Sequence, residues 1–98
     1  MKQANECRNI EDIRKEVDSI DLQIVKLIGK RSDYVRAASK YKKDRNSVKA
    51  VDRVKTMLEK RRIWGKENDI EPDVVEKLFL ILVKYFISEE MKQWKKEL

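Results

Sequence analysis

An all-α chain of three helices, paired with a second copy of itself, is the fold this sequence predicts. Three observations predict it. The 98 residues contain only two Gly and one Pro, so turns are few and elements long. Ile10, Ile13, Val17, Ile20, Ile24 and Leu27 recur at alternating steps of three and four, which is one face of a helix. That first helix, from about Asn9 to about Asp44, is also too long for one small globule. About 35 residues at ~1.5 Å each reach roughly 50 Å. A compact chain of this length is about 33 Å across. The apolar stripe therefore overhangs a monomer and needs a second chain to cover it, unless Gly29 kinks the helix.

The elements follow in order. Met1 to Arg8 is polar and is expected to fray. Asn9 is placed to cap the first helix, with Glu11 and Asp12 in the first turn where the helix dipole favours acids. Past Leu27 the stripe runs on through Arg31, Tyr34, Val35, Ala38 and Tyr41. Arg31 thus lies on a line that should be core. Lys42 is three turns further along the same face. Two cations there need an acidic partner or an anionic ligand, because an unpaired buried charge is costly. Arg14 sits beside the stripe, where Asp18, four residues on, offers a surface pairing.

The segment 43–49 is charged and contains Asn and Ser, which reads as a loop or as a lid beside Lys42. A second helix is expected from about Val51 to about Glu67, with Val51, Val54, Met57 and Leu58 inward and Arg53 at the edge of that face. A turn over 68–72 follows, and Pro72 fits the first position of a third helix that runs to about Lys95. Residues 78–86 are apolar nearly all round, so they belong in the middle of an assembly. Glu90 lies four, seven and eleven residues after Phe86, Val83 and Phe79, on their side. A carboxyl group there is either ion-paired or protonated. Trp64 and Trp94 read as packing residues.

Composition narrows the function. Lys and Arg number 24 against 18 Asp and Glu, a formal charge of +6, most of it a solvated helical face and the rest available to an anionic partner. Cys7 is alone and there is no His. Internal disulfides, Ser-His-Asp catalysis, His-activated thiols and imidazole zinc sites are thereby excluded, and a reducing compartment is expected. No signal peptide or membrane span is expected, and the chain reads as one domain over 1–98. A nucleic-acid module would carry its cations on the exposed face. The placement of Arg31 and Lys42 on the apolar stripe argues against that.

Arg14, Arg31, Lys42, Arg53 and Glu90 suit a small polyanion, since Arg pairs bidentately with carboxylates. Arg14 and Arg31 are about 25 Å apart along the helix, too far to clamp one small ligand within one chain. In an intertwined dimer Arg14 would complete the other chain's pocket.

The stretches IRKEVDSIDLQIVKLIGKRSDYVRAASKYK and YFISEEMKQW resemble the all-α chorismate mutase family, most closely its isochorismate–pyruvate lyase branch. The resemblance covers nearly the whole chain. It implies the chorismate mutase type II fold, an intertwined homodimer of three-helix chains with two equivalent pockets, and an enzyme without cofactor or metal. It implies that Arg14 binds a substrate carboxylate across the dimer and that Arg31 binds the enolpyruvyl carboxylate. Lys42 would donate to the ether oxygen or a carboxylate, and Arg53 would hold the ring side. Tyr34, Val35, Ala38, Met57 and Ile87 would form the apolar wall. The mutases usually carry Glu right after the residue matching Arg53. Here it is Val54, which favours the lyase branch. The family often has Gln at Glu90, where it donates to the ether oxygen; Glu90 donates only when protonated.

The substrate implied is a small dicarboxylate. Isochorismate would give salicylate and pyruvate, a reaction of siderophore biosynthesis; as a side or alternative main activity, chorismate would give prephenate. The implied location is cytoplasmic, with no nucleic-acid or membrane partner.

Overall fold

A computed structural model describes residues 2–41 and 51–97, with side chains in the last helix described as far as Lys92. Among the described residues all regular structure is helical. A single 3₁₀ turn, Ala4–Glu6, precedes helix α1, Ile10–Ser39. Helix α2 is Val51–Glu67 and helix α3 is Pro72–Glu97. The chain divides into two compact units, Met1–Tyr34 and Val35–Leu98.

In the first unit the α1 start is capped as its sequence dictates. The Asp12 N–H donates to Asn9 Oδ1 at 2.9 Å, satisfying one orphan donor of the first turn. The Asp12 carboxylate reaches back to accept from the Arg8 N–H at 3.2 Å and from Lys2 Nζ at 3.2 Å. The Arg8 bond, with Lys2 beside it, holds the Asp12 carboxyl below its ordinary value. The helix continues through Gly29. The apolar stripe is left open in the single chain, from Ile20 at 43% exposed to Leu27 at 64%.

Helix α1 ends earlier than the periodicity suggests, at Ser39 rather than about Asp44. The Lys40 and Tyr41 N–H groups bond the carbonyls three residues back, Ala37 and Ala38, and Ser39 Oγ donates to the Arg36 carbonyl. This tightened last turn satisfies carbonyls that the helix end would orphan. Lys42 and the segment expected to form a lid lie outside the described residues.

In the second unit α2 and α3 pack as a helical hairpin. Their junction is a Schellman motif. The Ile70 N–H donates to the Gly65 carbonyl at 2.8 Å and the Asp69 N–H to the Lys66 carbonyl at 3.3 Å, with Asp69 left-handed at φ 59°. Gly65 lets the helices close: a Cβ there would stand 2.6 Å from Val75 Cγ2 and 3.3 Å from the Ile70 carbonyl oxygen. Arg62 then spans the hairpin, bonding Asp73 at 2.6 Å and Glu76 at 3.2 Å. Arg61 lies 4.7 Å from the Trp64 ring centroid and 5.5 Å from that of Phe79.

The buried apolar set is thin: Met57, Val75, Val83 and Phe86 among the described residues. Val54 and Leu58 are half-buried, but Val51, expected inward, is exposed at the first turn of α2. On α3 Leu78, Ile81 and Tyr85 stay exposed while Val83 and Phe86 turn inward. The α3 face is thus split, where the sequence reads as apolar nearly all round.

Candidate active site

Helix periodicity puts Val35 and Ser39 one turn apart on α1, with Arg36 and Lys40 on the adjoining line. On α3 the same rule aligns Phe86 with Glu90 and Tyr85 with Glu89. Within the second unit these two sets face a common cavity of about 380 Å³. The last turn of α1 supplies Val35, Arg36 and Ser39, and Lys40 follows directly; α3 supplies Tyr85, Phe86, Glu89 and Glu90. Tyr85 and Phe86 meet edge to face, ring centroids 5.0 Å apart. The volume suits a small organic ligand.

Glu90 is the chemically informative wall of this cavity. It is 8% exposed, so its carboxyl group is turned into the protein as its spacing from Phe86, Val83 and Phe79 predicts. Its neighbour Glu89 is exposed and lies 3.6 Å from Lys92. The cavity therefore joins an apolar and aromatic floor to a buried acid, with Arg36 and Lys40 at its cationic side. That combination can seat an anion with an unsaturated ring and present one hydrogen-bonding carboxyl to it.

Of the residues singled out from the sequence, Val35 and Glu90 are brought together here. Ala38, Arg53, Met57 and Ile87 belong to the same unit but do not line the cavity. Met57 is buried in the core, Ile87 is half-buried, and Ala38 and Arg53 are exposed. Arg14, Arg31 and Tyr34 belong to the first unit. Arg31 is half-buried, with its Nη1 shielded from solvent. Arg14 is open, its side chain 69% exposed, and its ion pair is with Glu11 at 3.8 Å rather than with Asp18. Tyr34 is exposed as well. Sequence reasoning did not single out Arg36, Ser39, Lys40, Tyr85, Phe86 or Glu89 as site residues. Their common signal is position: each flanks Val35 or Glu90 in sequence, or lies one helical turn from one of them or from its flanking residue.

Among the described residues no group of His, Cys, Asp and Glu is arranged to hold a metal, and no helix is long and apolar enough to cross a membrane.

A chain whose described residues form three α-helices, the first long and openly apolar, with an acid buried beside aromatic rings, has a counterpart among known families. The chain belongs to the chorismate mutase type II family, whose model matches residues 13–91. Within that class it is similar to the isochorismate pyruvate lyase of Pseudomonas aeruginosa, with 40% identity over 95 residues that span 97% of this chain and 94% of the lyase. It is also similar to the bifunctional chorismate mutase/prephenate dehydratases of two Buchnera aphidicola subspecies. Both are 29% identical, over 85% and 81% of this chain, but the chain spans only 22% and 21% of their lengths.

Proposed function

We propose that this protein is an isochorismate–pyruvate lyase, releasing pyruvate from isochorismate to leave salicylate, with chorismate mutase as a side activity. The observation that carries the reading is the near end-to-end similarity to the Pseudomonas aeruginosa lyase. Val54, where mutases of the family usually carry Glu, supports the same branch. The match to the mutase family model favours chorismate-to-prephenate conversion as the second reading.

The chemistry asks little of acid–base groups. In the lyase the ether C–O bond breaks while a ring hydrogen moves to the enolpyruvyl methylene, and the ring becomes aromatic. The pocket holds the enolpyruvyl group over the ring, which removes orientational entropy from the barrier. Cations placed where charge grows on the departing ether oxygen stabilise the transition state. Arg31 takes the enolpyruvyl carboxylate, Arg53 the ring side, and Lys42 the ether oxygen or a carboxylate. Glu90, when protonated, donates to the ether oxygen. Val35 walls the ring within the cavity, and Tyr34, Ala38, Met57 and Ile87 are the further wall that the family resemblance implies.

The functional unit is an intertwined homodimer, each chain a single domain over 1–98. Two observations support it: the α1 stripe is open in the single chain, and Arg14 is exposed roughly 25 Å along the helix from Arg31. Arg14 then serves the partner's pocket. The setting is cytoplasmic, with salicylate passing to siderophore synthesis. Purified protein offered isochorismate and chorismate separately decides between the readings. Salicylate and pyruvate formed faster than prephenate support the lyase, and prephenate alone makes the protein a mutase.

A further inference from the structure

The cavity is lined by two acidic residues, Glu89 and Glu90, and two cations, Arg36 and Lys40, and the ligand proposed for it is itself a dianion. An acidic wall repels such a ligand unless cations at the mouth outweigh it. Glu89 is offset by Lys92 at 3.6 Å. Lys40, which also lines the cavity, stands just past the end of α1, exposed, and its ammonium has no side-chain partner among the described residues. Lys40 is held by its backbone, whose N–H bonds the Ala37 carbonyl at 3.4 Å, and its side chain is long enough to sweep the cavity entrance. We infer that Lys40 is the recruiting cation of the site: it draws a substrate carboxylate to the cavity mouth but takes no part in the bond changes. This rests on the proposed reaction and adds to it a residue that the resemblance does not assign.

A recruiting charge acts through encounter and early binding, so it raises kcat/KM and leaves kcat alone. Its effect fades as salt screens it, the Debye length falling from about 30 Å at ~0.01 M to about 3 Å at ~1 M. The test measures steady-state kinetics on isochorismate at low and high ionic strength for wild type, Lys40→Arg, Lys40→Met and Lys40→Glu. Lys40→Arg is expected to match wild type throughout. Lys40→Met should lose about 3- to 10-fold in kcat/KM at low salt, and Lys40→Glu more, with both converging on wild type near ~0.5 M salt. kcat should be unchanged in all. Wild-type kcat/KM in Lys40→Met and Lys40→Glu at low salt would overturn the assignment, as would a fall in kcat independent of salt. If the wild type turns over neither isochorismate nor chorismate, the proposed reaction itself fails and Lys40's role falls with it.

Discussion

At Glu90 a buried acid meets a chemical requirement. The residue is 8% exposed and lines the cavity beside Phe86. An ionised carboxylate can only accept hydrogen bonds, so donation to an ether oxygen needs the proton. Glu90→Gln keeps the shape and donates at every pH. It should preserve or raise activity at neutral pH. A folded Gln variant inactive at every pH would mean that the carboxylate instead neutralises a pocket cation. At Gly65 the constraint is steric. Gly65→Ala gains about 1 kcal/mol of helix propensity. It forces a Cβ against Val75, whose branched side chain is stiff and itself buried, and against the Ile70 carbonyl. Overpacking of this kind costs about 1–3 kcal/mol. Chemical denaturation should show a net loss of about 1 kcal/mol or more, and a stabilised Ala variant would contradict the close approach.

Among the elements, the α2–α3 hairpin is the best-defined electrostatic unit. The Arg62 hydrogen bond and charge hold Asp73 below the ordinary carboxyl value of 3.8. Because the folded value is depressed, the pairing contributes stability above the unfolded value, lost as pH falls through the folded one. Asp73→Asn should therefore lose less melting temperature than wild type between about pH 5 and about pH 2. Identical slopes would show the pair to be fully screened by solvent. Element identities were legible because they are local. Asn9 and Pro72 are start signals that act within a turn, and α2 runs over Val51–Glu67 as its pattern reads. The end of α1 was not legible, since the apolar period continues past Ser39 while backbone bonds to Ala37 and Ala38 close the helix. Gly65 was silent for a related reason: a glycine inside a helical pattern does not say what lies opposite. Little of the cavity was legible. Glu90 declares itself as an acid on an apolar stripe and Val35 enters through the family resemblance, whereas Ser39, Lys40, Tyr85 and Glu89 enter only because two segments distant in sequence meet.

For the whole molecule, the open stripe from Ile10 to Leu27 is too extensive to leave in water. A partner chain that covers it would also bring Arg14 to the second pocket. Inactive Arg14→Ala and Arg31→Ala chains, allowed to exchange subunits, should together recover activity. Each heterodimer then holds one pocket with both arginines and one with neither. A statistical mixture should regain about a quarter of wild-type activity. No recovery despite demonstrated exchange would place Arg14 outside the partner's pocket.

The proposed reaction is a concerted elimination guided by a pocket that supplies charge and shape. Aromatisation to salicylate requires the hydroxyl-bearing ring carbon to lose its hydrogen, and the account sends that hydrogen to the enolpyruvyl methylene. Isochorismate deuterated at that carbon tests this directly. Mass spectrometry of the pyruvate should find one deuterium in the methyl group, with none released to water. Salicylate formed with unlabelled pyruvate would instead mean that a protein group or water carries the proton, and the pericyclic account would be wrong.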